Sequence, residues 1–141
     1  MINKRIGSDF EKEMVDILAN CGFWAHFIVP NPRGAQPFDI IAVKNGMAFA
    51  IECKTLSQNS KWFYFDRFEE NQKMAFKKWI DINNGLPIIA IKQNNNIVTF
   101  FYSLELFNER GINIDELKKS EFKKIGDINI YGVLNEVIDN E

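Results

Sequence analysis

Histidine and cysteine are almost absent from this chain. The only histidine, His26, lies among aromatics in FWAHFIV, where a lone imidazole is expected to be packed and hydrogen-bonded rather than a ligand. The two cysteines, Cys21 and Cys53, have no metal-ligand spacing, so a cysteine-held zinc is excluded and both are expected to be reduced and buried. No apolar run approaches the roughly 20 residues of a membrane span. Lys4 and Arg5 are followed by no apolar signal core, so the chain is expected to be cytoplasmic, with no membrane partner. Repeats, low-complexity tracts and linkers are lacking, so the expectation is a single domain over residues 1–141. A strong positive charge is missing too. The net charge of −2 gives no support by itself to nucleic-acid binding. Residues 1–92 hold 12 Lys and Arg against 10 Asp and Glu, and residues 93–141 hold 5 against 9. If the protein binds DNA, the last third should face away from it.

What is present centres on residues 38–54, FDIIAVKNGMAFAIECK. Asn45-Gly46 between two strand-like runs is a strong hairpin signal, because a type I′ turn needs positive φ at both central residues. With a two-residue loop, Lys44 pairs with Met47 and Asp39 falls opposite Glu52, on a face that also carries Lys54. The remaining hairpin residues are apolar on both faces: Ile41, Val43, Ala48 and Ala50 on one, Phe38, Ile40, Ala42, Phe49 and Ile51 on the other. Such a hairpin is expected to be central and covered on both sides. Like charges opposed across a sheet destabilise it, so two carboxylates here call for a compensating cation. A hard divalent ion with oxygen ligands would supply it, and the Lys54 ammonium would orient the attacking water. That is a constellation for metal-assisted phosphodiester hydrolysis. The plainer alternative makes Asp39 a strand-start residue and Glu52 and Lys54 a solvated strand end.

Upstream, Ile6, Phe10, Met14, Ile17, Leu18 and Cys21 recur at helical spacing, predicting a helix over 6–21 closed by Gly22. Glu11 either completes a capping box with Ser8 or reaches the carboxylate pair. A strand is expected over 23–29, then a loop, PNPRGAQP, over 30–37. Arg33 and Gln36 in this loop are candidate DNA contacts, arginine being suited to bidentate phosphate binding. Trp62-Phe63-Tyr64-Phe65 is a short strand, a core plug, a dimer face or a nucleic-acid stacking platform. Asp66 is expected to cap a helix running to about Asn84 and closed by Gly85, with Phe68, Gln72, Ala75, Phe76, Trp79 and Asn83 on one stripe. Gln72, polar on an apolar face, either points at the carboxylates and their substrate or sits at the stripe's margin. Lys73 and Lys77 form a salt-bridge ladder with Glu69 and Asp81, or Lys73 reaches a phosphate. Strands are expected at 86–92 and 97–102, joined by Asn94-Asn95-Asn96. Short helices should follow at 103–109 and 115–124, and an edge strand at 128–134. Aromatic content of 13%, with 13 Phe, suits a dense core, an interface or both.

The order of these pieces resembles the PD-(D/E)XK nuclease superfamily, the restriction-endonuclease-like fold. Pro37-Phe38-Asp39 and Glu52-Cys53-Lys54 match its signature segments, with one residue inserted between Pro and Asp. The stretches K-R-I-G-S-D-F-E, D-I-I-A and I-E-C-K, and Phe68-x-x-Asn71-Gln72 before an apolar strand, are most similar to Holliday junction resolvases of the Hjc and RecU types. The likeness covers about residues 4–92. It implies an α/β mixed central sheet with the N-terminal helix and a second helix packed on it. It implies Asp39, Glu52 and the Cys53 carbonyl as ligands of Mg²⁺ (or Mn²⁺), with Glu11 completing the site, Lys54 activating water and Gln72 nearby. It further implies a homodimer acting on four-way DNA junctions, with Lys4, Arg5, Arg33, Gln36 and Lys73 as candidate DNA contacts. Two other readings stand beside it: a restriction-like or repair nuclease on linear or flapped DNA, and a non-catalytic binding module on a nuclease fold.

Overall fold

The structure, a computed structural model, describes residues 2–28, 37–82, 84, 86–103 and 105–119; for 2–8, 107 and 117–119 it describes the backbone alone. The chain opens with helix α1, Ile2–Asn20. Its apolar stripe buries Phe10, Met14 and Leu18. Gly22, at φ +89°, closes it: its N–H donates to the Ala19 carbonyl and the Phe23 N–H to that of Leu18. This crossed pair satisfies carbonyls the helix leaves open. Lys44 Nζ donates to the Cys21 carbonyl at 3.0 Å, tying that end to the sheet.

Among the described residues, five strands form the main sheet in the order β1-β2-β3-β5-β6: β1 Trp24–Phe27, β2 Ile40–Lys44, β3 Met47–Thr55, β5 Ile88–Gln93 and β6 Asn96–Phe101. A smaller sheet pairs β4, Trp62–Tyr64, with β7, Gly111–Asn113. Helix α2, Glu70–Asp81, lies on the crossover between β3 and β5, and this crossover makes β3–β5 the parallel pair of an otherwise antiparallel sheet. Helix α3, Ile114–Lys119, follows β7. The sheet is therefore mixed, as expected, and it is covered on both faces. Phe10, Met14 and Leu18 of α1 pack on Ile40, Ala42, Phe49, Ile51 and Cys53. Phe63, Phe65, Phe68, Phe76 and Ile114 pack on Ala50, Ile89, Ile91, Val98 and Phe100 from the other side. Six of the 13 phenylalanines lie in this second layer, where several rings meet edge-on, as Phe68 and Phe76 do at 5.7 Å.

Asn45 and Gly46 turn with φ of 54° and 79°, and Lys44 pairs with Met47 as the turn requires. The regular pairing ends at Ile40↔Ile51, one step short of the expected Asp39–Glu52 pair. The Asp39 N–H donates to the Ile51 carbonyl at 3.1 Å, so the chain kinks there. The kink moves Phe38 away from its expected companions Ile40 and Ala42 into the opposite core, where it meets Trp79 edge-on at 5.3 Å. A single-residue slip exchanges faces because side chains alternate with period two.

Other expectations are corrected. Helix α1 begins four residues before position 6, so Ser8 and Glu11 are interior and no capping box forms between them. Asp66 lies in a 3-10 turn, Phe65–Arg67, and α2 starts at Glu70 behind a Glu69/Gln72 capping box. Residues 103–109 contain one 3-10 turn, Leu106–Asn108, and strand β7 follows it unanticipated. Asn94 takes φ 56° in a two-residue turn, leaving Asn96 in β6. His26 is exposed against Trp24, 4.2 Å between rings, rather than packed. Cys53 is buried but Cys21 only half so, and both are free. The expected strand at 128–134 lies outside the described residues. No described helix is long and apolar enough to cross a membrane.

Met14 is fully buried in the layer that holds α1, and with it Glu11, on the sheet. Met14→Ala is expected to cost about 2–5 kcal/mol, read as a lower denaturant midpoint at unchanged slope. A loss below about 1 kcal/mol, the scale of a surface change, would show that this contact does not secure the helix.

Candidate active site

Strand β3 delivers the site. Alternation sends Cys53 towards α1 and Glu52 and Lys54 towards the α2 layer. Glu52 is 2% exposed. Its Oε2 accepts from Gln72 Nε2 at 2.5 Å and lies 3.3 Å from Lys54 Nζ. Its Oε1 is buried with no hydrogen-bond donor among the described residues. Asp39 lies within hydrogen-bonding reach of Glu52, a contact that needs one of the two acids to carry the proton, and with both ionised it is repulsive. Asp39 is 8% exposed. The kink aims its Oδ2 at the Cys53 N–H, 2.8 Å away, so the side chain takes a main-chain donor. Glu11, reaching down from α1, lies within hydrogen-bonding reach of Asp39.

Three carboxyls thus converge near one ammonium. Burial pushes the Glu52 carboxyl up to about 8, with the Asp39 charge adding to it and Lys54 opposing. Burial, then Asp39, pushes Glu11 up to about 7. Burial also raises Asp39, against the Cys53 N–H bond and Lys54, which lower it. Desolvation and like charge both disfavour the ionised form. A divalent cation would relieve both.

The donor set fits such an ion. Asp39 and Glu52 present hard oxygens, and the orphaned Oε1 is a buried acceptor needing a partner. The Cys53 carbonyl follows Glu52 on β3. Among the described residues no three His, Cys, Asp or Glu side chains are arranged as a formed cage.

Gln72 is the link to the rest of the fold. Its Oε1 accepts the Glu69 N–H at 3.2 Å while its Nε2 holds Glu52. One amide therefore closes the start of α2 and orients a carboxylate. Lys54 Nζ also stands 5.5 Å from the Phe68 ring centre. Of the other candidates, Lys73 is half-buried and 3.7 Å from Glu70, off the carboxyl cluster. Lys77 pairs with Asp81 at 3.0 Å. Lys4 and Arg5 lie on the first turns of α1, with side chains outside the description. Arg33 and Gln36 fall outside the described residues.

Residues 2–129 match the profile of the archaeal Holliday junction resolvase (Hjc) family. The chain is 33% identical over 94 residues to the "Crossover junction endodeoxyribonuclease Hje" of Saccharolobus islandicus, covering 64% of this chain and 66% of that one. The Saccharolobus solfataricus protein of that name is 32% identical over 94 residues, covering 64% and 66%. The match thus spans just under two thirds of these relatives' length. The solved structure of Archaeoglobus fulgidus Hjc superposes with TM-score 0.63 at 16% identity, covering 91% of this chain and 98% of that one, a likeness of fold.

Linkage gives a test of the carboxyl cluster. Acids whose folded pKa is raised bind more protons folded than unfolded, so stability is lost as pH rises from the ordinary value, 4.5, towards about 7 for Glu11 and about 8 for Glu52. In excess chelator the melting temperature is expected to fall through that window, and Glu52→Gln to flatten the fall. Added Mg²⁺ should raise the melting temperature more at the alkaline end, because ligand carboxylates must be deprotonated. A melting temperature that climbs across the window in chelator would show that the acids are not mutually destabilised.

Proposed function

The chain belongs to the archaeal Holliday junction resolvase (Hjc) family, and from that we propose that it is a Mg²⁺-dependent endodeoxyribonuclease, active with Mn²⁺ too, that cuts four-way DNA junctions as a homodimer. The observation that carries the reading is Glu52: a buried carboxylate with one oxygen held by Gln72 and Lys54 and the other lacking any donor among the described residues. Structural burial alone gives no reason to leave that oxygen bare. The names of the Hje relatives support the junction as substrate. A four-way junction presents two symmetry-related strands, which a two-fold dimer would cut in pairs.

In this mechanism Asp39, Glu52 and the Cys53 carbonyl hold the ion. When bound, the ion supplies Lewis-acid stabilisation of the charge developing on the phosphoryl oxygens. The Cys53 N–H fixes the Asp39 carboxylate through Oδ2. Gln72 fixes Glu52 likewise. Lys54, tethered 3.3 Å from Glu52, orients the attacking water and offers positive charge to the phosphodiester. Glu11, beside Asp39, would complete the set of oxygens around the ion. Lys4, Arg5, Arg33, Gln36 and Lys73 are assigned to the DNA backbone, where each cation lost should weaken binding uniformly and lower the salt dependence by about one counterion.

The purified protein should be given Mg²⁺ and a synthetic four-way junction beside matched linear duplex, flap and single strand. Paired symmetric nicks in the junction alone are expected. Glu52→Ala and Asp39→Ala should abolish them with the fold retained, and Lys54→Ala should slow them about 10²–10³-fold. Cuts spread over the other substrates would keep the nuclease and discard the junction. Full activity of Glu52→Ala, or activity in excess chelator, would remove the mechanism.

A further inference from the structure

Strand β4 carries two large rings that the core does not use. Phe63 is fully buried, but its neighbours Trp62 and Tyr64, pointing the other way, are 46% and 42% exposed. The two rings lie nearly parallel, 14° apart in plane and 6.5 Å between centres. They form a ridge between two hollows. One, of about 650 Å³, is bordered by Thr55, Ser57, Ser60 and Arg67. The other, of about 310 Å³, is bordered by Glu109, Arg110 and Gly111.

The ridge is held firmly and joined to the active-site strand. Thr55 follows Lys54 directly, and its carbonyl accepts from Arg67 Nη1 at 2.7 Å. Arg67 also lies 5.1 Å from the Phe63 ring centre. The approach loop is pinned by Gln93 Nε2, which donates to the carbonyls of Ser57 at 2.9 Å and Ser60 at 2.7 Å. The Arg110 guanidinium stands 5.4 Å from the Tyr64 ring centre, and exposed Lys61 precedes Trp62. Flat faces flanked by cations and hydroxyls suit a nucleobase on its sugar–phosphate chain. They do not make the wide apolar patch of a protein interface.

We propose that Trp62 and Tyr64 are a stacking ledge for an unpaired base of the DNA substrate, with Arg67 and Arg110 on the flanking phosphates. The inference rests on DNA being the substrate. It gives the ridge a task beside the cut: a base unstacked at a branch point costs less to displace than one inside a duplex, and the ledge would hold it while β3 presents the carboxylates to a nearby phosphate. It also assigns β7, from the acidic last third, to the DNA-facing side.

The test compares wild type, W62A/Y64A and W62F/Y64F in chelator, on a labelled four-way junction and a labelled single-stranded oligonucleotide. Both rings are exposed, so the alanine protein should fold, as circular dichroism and its melting curve will show. W62A/Y64A is expected to bind both probes about tenfold or more weakly, and the phenylalanine pair to restore affinity to within about twofold, because every aromatic face stacks. Equal affinity of all three proteins on both probes would overturn the ledge. A loss that tracks dissociation of a dimer in sedimentation would overturn it as well, making the ridge a contact between copies. If wild type fails to bind or, with Mg²⁺, to cut the junction, the junction reading fails; the ledge is then judged on the single strand alone.

Discussion

The bond from the Cys53 N–H to the Asp39 carboxylate is the constraint on which the site depends. In an undisturbed hairpin that donor would meet a main-chain carbonyl. Here the ladder stops at Ile40↔Ile51, and a charged side chain replaces the backbone acceptor. The substitution does three things together. It satisfies a buried N–H, lets Asp39 approach Glu52, and flips Phe38 into the second core. Hydrogen bonds to an ionised acceptor are stronger than neutral ones, so the kink is held by the acid it serves.

Around that point each layer contributes one restraint. Helix α1 brings Glu11, fixed by Phe10 and Met14 packed on the sheet. Helix α2 brings Gln72, whose position is set by the capping of its own first turn. The phenylalanine layer buries Glu52 and leaves Lys54 between its carboxylate and the Phe68 ring. Burial makes the acids costly, and the cost is what selects for a cation. Stability and chemistry draw on the same few contacts.

Much of this was legible in the residues. Asn45-Gly46 sets the hairpin because few dipeptides accept positive φ twice, and Gly22 ends α1 for a related reason. The apolar spacing of Phe10, Met14 and Leu18 marks the buried face correctly. The strict pairing of Asp39 with Glu52 was not to be had from the turn: a side-chain acceptor outcompetes the ladder, and nothing local announces it. For Glu11 the residues left two readings, a capping box with Ser8 and a reach to the carboxylate pair; the helix starts too early for the first, and Glu11 lies within hydrogen-bonding reach of Asp39. The start of α2 moved to Glu70 because Glu69 and Gln72 cap it, and Phe65–Arg67 turns first. Strand β7 is three residues long and exists only by pairing with β4, a long-range contact without a periodic signature. Of the four readings left open for Trp62-Phe63-Tyr64-Phe65, the short strand is seen, with Phe63 and Phe65 in the core; alternation predicts opposite faces but not which face stays bare.

The parallel pairing of β3 with β5 has a consequence in time as well as space. The β2–β3 hairpin closes on a two-residue turn, at small entropic cost and within microseconds. Strand β5 joins β3 only after residues 56–87, with α2 among them, have been laid across the sheet, a slower, non-local event. The acids of the hairpin are therefore neighbours before the amide that steadies one of them arrives. Late steps of assembly therefore proceed against their repulsion unless a proton, or a cation such as the proposed Mg²⁺, is already there to offset it.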